Sequence, residues 1–113
     1  TQPTYEPEKA AAFLDQVEAE IGRLNIPVLA GILPLVNSRH ASFLHQEVPG
    51  INIPEAILTR MQQAGENGPR TGVQIAIELI QQMQGQVQGV YLMPAFGRYD
   101  YAAEVIDSIK QTA

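Results

Sequence analysis

Two stretches of the chain are apolar at nearly every position, and between them apolar residues recur at helical spacing. Pro27-Val28-Leu29-Ala30-Gly31-Ile32-Leu33-Pro34-Leu35 is apolar on both alternating faces. A strand covered on both sides reads this way, as in parallel α/β sheets. Gly31 permits close approach of a backbone or ligand, Pro34 stops the ladder, and Asn37 and Ser38 follow as helix caps. A similar stretch, Gly89-Val90-Tyr91-Leu92-Met93-Pro94-Ala95-Phe96-Gly97-Arg98, predicts a second strand over residues 88–93. Thr1-Gln2-Pro3-Thr4-Tyr5 reads as the frayed end of a further strand.

Helices fill the intervals. Glu6-Pro7-Glu8 opens one, because proline suits the first helical position and acids suit the positive helix end. Its apolar face is Phe13, Leu14, Val17, Ile21 and Leu24, with Gly22 and Asn25 at its end. A short helix over residues 38–46 is broken by Val48-Pro49-Gly50. Another opens at Pro54, turns Ile57, Leu58 and Met61 inward, and stops at Gly65. Glu66-Asn67-Gly68-Pro69 reads as a turn. Val73, Ala76, Ile77, Ile80 and Met83 then give the clearest helical period in the chain. Ile75 and Leu79 widen that face, and Gly85 ends the helix. The last helix runs over residues 99–110 with Ala102, Val105, Ile106 and Ile109 inward. Strands alternating with helices mean right-handed parallel βαβ units.

Two complete strands make a poor parallel sheet, which needs its edges paired and both faces covered. The expected fold class is therefore α/β, an incomplete (β/α)8 barrel of parallel strands. All 113 residues form one piece of it, against about 250 residues for a complete barrel. The absence of an initial Met is consistent with a cut or processed piece.

Composition narrows the functional classes. The sequence is 45% hydrophobic and 17% charged, enough for a globular core. Its mean hydropathy is -0.07, and no apolar run approaches the roughly 18–20 residues that span a bilayer. A net charge of -5 disfavours nonspecific nucleic-acid binding. The chain has no cysteine, which removes disulfides, thiolate metal sites and cysteine nucleophiles. The expected setting is the cytoplasm, away from membrane and nucleic acid. Open strand edges and surplus apolar helix faces predict a homo-oligomer.

Polar residues gather at three predicted strand ends: Thr1, Gln2 and Thr4; Asn37, Ser38, Arg39 and His40; and Arg98, Tyr99 and Asp100. In a parallel barrel all three face one rim. An amide, arginines and hydroxyls converging there suit an anionic, hydrogen-bonding organic ligand. A surface arginine serving its own helix is an equally simple reading of Arg98. His40, His45 and Glu47 invite a metal site, but the histidines do not share a helix face and no third histidine exists. Locally bonded or solvated histidines are the expectation, and no metal is called for. Gly65-Glu66-Asn67-Gly68-Pro69-Arg70 follows a helix and lacks the Lys-Ser/Thr ending of a phosphate loop. The glutamines at 81, 82, 84, 86 and 88 read as a solvated helix end. No carboxylate pair stands out as an acid/base couple, so no catalytic residue is assigned.

Taken together, Thr1 to Tyr5, Pro27 to Leu35, Ser42-Phe43-Leu44-His45-Gln46-Glu47-Val48-Pro49-Gly50-Ile51 and Gly89 to Tyr99 resemble the C-terminal part of methylenetetrahydrofolate reductase. They resemble most the reductase half of bifunctional proteins that join it to a homocysteine methyltransferase. The resemblance covers nearly the whole chain in collinear order. It implies a (β/α)8 barrel holding FAD, of which this chain is the end of strand six and strands seven and eight with their helices. It implies hydride transfer from NADH or NADPH to FAD and on to methylenetetrahydrofolate, giving methyltetrahydrofolate for methionine synthesis. Gln2 matches the strand-six glutamine that bonds the pterin, and Arg98 the arginine after strand eight that meets the folate tail. An aromatic that some members carry after the G-I-L-P turn is replaced here by Asn37-Ser38. The catalytic glutamate and most FAD contacts belong to strands outside this chain, so FAD and NAD(P)H are expected in a full-length parent and not on this piece. The alternative is a non-catalytic α/β interaction or oligomerisation module, which bound flavin in a longer protein would exclude.

Overall fold

A computed structural model describes residues 3–22 and 27–112. The order is α1 (Pro7–Ile21), β1 (Leu29–Ile32), α2 (Ser38–Glu47), α3 (Glu55–Ala64), α4 (Gly68–Met83), β2 (Gly89–Leu92) and α5 (Tyr99–Thr112). The class is the expected one: helix-rich α/β with a small parallel sheet, consistent with part of a (β/α) barrel.

β1 and β2 pair in parallel, with Leu29 opposite Gly89 and Gly31 opposite Tyr91. Pro3 makes a parallel bridge to Gly31 on the other side of β1, and the Thr4 N–H donates to the Gly31 carbonyl at 3.1 Å. The segment read as a frayed strand end is thus a third line of parallel pairing. The ladder is tied at both ends. Gln88 N–H donates to Val28 O at 3.0 Å and Met93 N–H to Ile32 O at 2.9 Å. The Gln88 side chain in turn accepts from Val28 N–H at 2.6 Å. Tyr5 is buried and its hydroxyl donates to Leu33 O at 2.7 Å, fixing the chain past the end of β1.

Successive strand side chains alternate between faces, and here the two faces differ. Ala30 and Ile32 are 2% and 1% exposed, and they join a helix-side core with Val90 and Leu92 packed against it. Leu29 and Tyr91, on the other face, are 48% and 39% exposed. Among the described residues the sheet is covered on one side only, a departure from the usual two-sided burial of parallel sheets.

Helix α4 is the centre of the covered side, packing against α1, α3 and α5. Val73, Ile75, Ala76, Leu79, Ile80 and Met83 are all buried, as the period predicts. Its start corrects one expectation. Gly68 and Pro69 form its first turn, with a short 3-10 turn over Gly65–Asn67 before it. Proline at the second helical position needs no donor. Gly68 and Gly72 are there for contact: a Cβ on Gly68 would sit 2.5 Å from Val36 O, and one on Gly72 1.6 Å from Leu35 O. Two glycines four apart lie on one helix face, and through them α4 touches the backbone that leaves β1.

Two other expectations are corrected. On α1, Phe13 and Ile21 are 64% and 72% exposed, although both lie on its apolar stripe. Phe13, Leu14 and Val17 instead border a cavity of about 490 Å³ whose sheet side is Val28, Ala30 and Val87. The stripe is amphipathic, but the sheet does not reach it. Leu24, of the same stripe, lies outside the described residues. On α5 the buried stripe centres on Val105, flanked by Ala102, with Tyr101 and Ile109 packed beside it. Ile106 lies off that stripe and is exposed. Among the described residues, no helix is long and apolar enough to cross a membrane.

Candidate functional site

Two of the three polar clusters lie past the C-terminal ends of β1 and β2. The first is a cap. Asn37 is extended and its Oδ1 accepts from the His40 N–H at 2.7 Å, satisfying a free donor of the α2 N-terminus. His40 is 8% exposed, and its Nδ1 accepts from the Val36 N–H at 3.1 Å. That bond fixes the tautomer: Nδ1 is unprotonated and Nε2 carries the hydrogen. His45 Nδ1 similarly accepts from the Ile53 N–H at 3.0 Å. Both histidines are locally bonded, as expected, and each ties its helix to a neighbouring turn.

The second cluster follows β2. Arg98 N–H donates to Ala95 O at 3.0 Å, closing a turn whose central residues, Phe96 and Gly97, have φ of 53° and 72°. Positive φ at both positions is the requirement of a type I′ turn, which favours Asn-Gly and suits Phe poorly. A left-handed non-glycine residue costs about 1–2 kcal/mol. Phe96 is 76% exposed, and its ring centroid lies 5.1 Å from that of His40 at 58°. This contact joins the β2 turn to the β1 cap.

Arg98 leaves the turn on the solvent side. Its Nε and a terminal nitrogen donate to Asp100 Oδ1 and Oδ2 at 3.2 and 2.9 Å. Its guanidinium carbon lies 4.3 Å from the centroid of the Tyr101 ring. The hydrogen bonds from Arg98 hold the Asp100 carboxyl below the usual aspartate range. Since the pair is exposed, water and salt screen it. Its importance is geometric: a two-point fork on an aromatic face holds Arg98 at the rim, where exchange of Asp100 for another carboxylate keeps the same hydrogen-bond pattern.

Gln2, the other candidate ligand contact, lies outside the described residues, and Thr1 with it. Three features were missed in the sequence: the Phe96-Gly97 turn, the Arg98–Tyr101 stack and the Gly68/Gly72 approach. The last two had visible signals, in the three-residue spacing at the start of a helix and in two glycines four apart.

His40 carries a pH expectation. Burial pushes its imidazole below the ordinary value of 6.5. The unfolded chain then binds the proton more readily, so the contribution is full above about pH 6.5 and shrinks as pH falls toward the folded value. Thermal midpoints should fall between pH 7.5 and 5, and the fall should be smaller in His40→Asn. Equal slopes in both proteins would contradict this.

A family model described as methylenetetrahydrofolate reductase matches residues 1–110. No curated protein matches the chain.

Proposed function

The chain belongs to the methylenetetrahydrofolate reductase family, and from that premise we propose that it is the C-terminal part of the reductase barrel and forms its folate-side wall. The family implies an oxidoreductase parent with a folate substrate. In this reading the parent is a cytoplasmic, FAD-dependent enzyme that reduces methylenetetrahydrofolate to methyltetrahydrofolate with NAD(P)H, in one-carbon and methionine metabolism. Its methyltransferase fusion is part of the same proposal. The observation that carries the reading is the sheet with one covered and one open face. In a barrel, Leu29 and Tyr91 would face inward onto side chains of the other strands.

Arg98 is the residue proposed to meet the folate tail, whose carboxylates would replace or share Asp100 at the guanidinium fork. Gln2 is proposed to bond the pterin. The described residues do not by themselves fit a flavin. The open sheet face offers the side chains of Leu29 and Tyr91. A pyrophosphate and a fused ring system need more than this, so FAD is assigned to the rest of the parent. The isolated chain is proposed to lack activity and to self-associate through its open face. Sedimentation should give a dimer or larger species; a folded monomer at high micromolar concentration would contradict this.

The functional proposal is tested on the parent by titrating methyltetrahydrofolate and comparing wild type with Gln2→Ala and Arg98→Ala. Weaker binding in both, with the NAD(P)H affinity kept, is the expected result. No folate binding by wild type would overturn the assignment.

A further inference from the structure

We infer that Tyr5 is a positioning residue for folate binding: its hydroxyl, bonded to the Leu33 carbonyl, holds the Pro3–Thr4 segment in register on β1. The inference rests on the family reading for the ligand and for Gln2, and on the local geometry for Tyr5 itself. Backbone pairing grips this segment lightly among the described residues. Pro3 bridges Gly31 but has no N–H to give the ladder. Thr4 N–H donates to Gly31 O at 3.1 Å, and the chain then enters α1 at Pro7, which again lacks a donor. A slip of one residue moves a strand by roughly 3.3 Å and turns its side chains to the opposite face. With Pro3 paired to Gly31, Tyr5 falls opposite Leu33, and the Tyr5 hydroxyl donates to Leu33 O at 2.7 Å. The side chain thus bonds the residue that the register sets beside it, and a slip would break that bond. The ring is anchored as well. Tyr5 is 3% exposed and belongs to the core. Burial pushes its phenol up, so the hydroxyl remains a donor through the neutral range. Leu33 leads into the turn that carries the Asn37 cap. One hydroxyl therefore joins the segment that follows Gln2 to the rim beyond β1. A phenylalanine would fill the same space and leave the Leu33 carbonyl without this donor.

The test is a double-mutant cycle in the parent enzyme, comparing wild type, Tyr5→Phe, Gln2→Ala and the two changes combined. Melting temperatures and dissociation constants for methyltetrahydrofolate and for NAD(P)H are measured on each. Tyr5→Phe should weaken methyltetrahydrofolate binding about fivefold, as loss of one buried hydrogen bond does, and keep the NAD(P)H affinity within about twofold. On the Gln2→Ala background the same change should cost less than about twofold, because residues acting through one contact are not additive. A purely structural role predicts a lower melting temperature with the same loss of folate affinity, or none, on both backgrounds, and either result would overturn the inference. A Gln2→Ala enzyme that binds folate as wild type does would also overturn it, while leaving the family reading in place. Wild-type enzyme that binds no folate would overturn both.

Discussion

Gly72→Ala should destabilise the protein by about 3 kcal/mol or more, although it places the best helix former inside a helix. Helix propensity alone favours the change by about 1 kcal/mol. The opposing term is steric. A Cβ at position 72 would lie 1.6 Å from the Leu35 carbonyl oxygen and 2.7 Å from its carbon. The obstacle is backbone, so it cannot rotate aside as a side-chain tip would. Relief requires α4 to move off the chain leaving β1, and with it the packing of Ile75, Ala76 and Leu79. Inserted methyl groups in tight cores typically cost about 1–3 kcal/mol, and an immovable neighbour puts this case at the upper end or beyond. Gly85→Ala is the control. Its φ is 87° with nothing within 4 Å, so it should lose only the left-handed penalty of about 1–2 kcal/mol. Thermal unfolding followed by circular dichroism ranks the two. Gly72→Ala melting at or above Gly85→Ala would refute the close approach.

Arg98→Ala should weaken folate binding by about tenfold or more in the parent, as loss of a charge-assisted contact does. It should leave NAD(P)H oxidation with an artificial acceptor nearly unchanged. The side chain is 48% exposed and, among the described residues, is held by Asp100 and the Tyr101 face, so stability should hardly move. Arg98→Lys should not rescue, because an ammonium cannot fork onto two oxygens. Asp100→Asn leaves the cation without its carboxylate partner and should tighten folate binding at low salt, with the gain shrinking as salt rises. Equal damage to the folate and nicotinamide reactions in Arg98→Ala would point to a structural role instead.

What was legible in the sequence was periodic or punctuated. β1 and β2 stand out as apolar runs stopped by Pro34 and Pro94, and α4 as a strict helical repeat. Asn37 was legible as a cap because capping chemistry is local. The parallel order followed from alternation alone. Misread features depend on partners distant in the chain. Gly68 reads as a turn residue until Val36 and Asn37 are seen against it. Phe13 and Ile21 have inward spacing, but burial requires a surface to receive them, and the described sheet does not extend that far. Ile106 fits the repeat of α5, yet the stripe through Tyr101, Val105 and Ile109 takes the contact. At the candidate site, Arg98 is proposed from its position after β2. Phe96 lies past Pro94, where the strand has already stopped, and its left-handed backbone has no sequence marker other than the following Gly97.

The central claim is that this chain is one wall of a folate-reducing barrel whose flavin is held elsewhere. The visible spectrum of the purified 113-residue chain, after excess FAD and gel filtration, tests it most directly. The account predicts a protein peak without flavin absorbance, beside a parent enzyme that retains it. Stoichiometric flavin on the short chain, with turnover of NAD(P)H and methylenetetrahydrofolate, would contradict it.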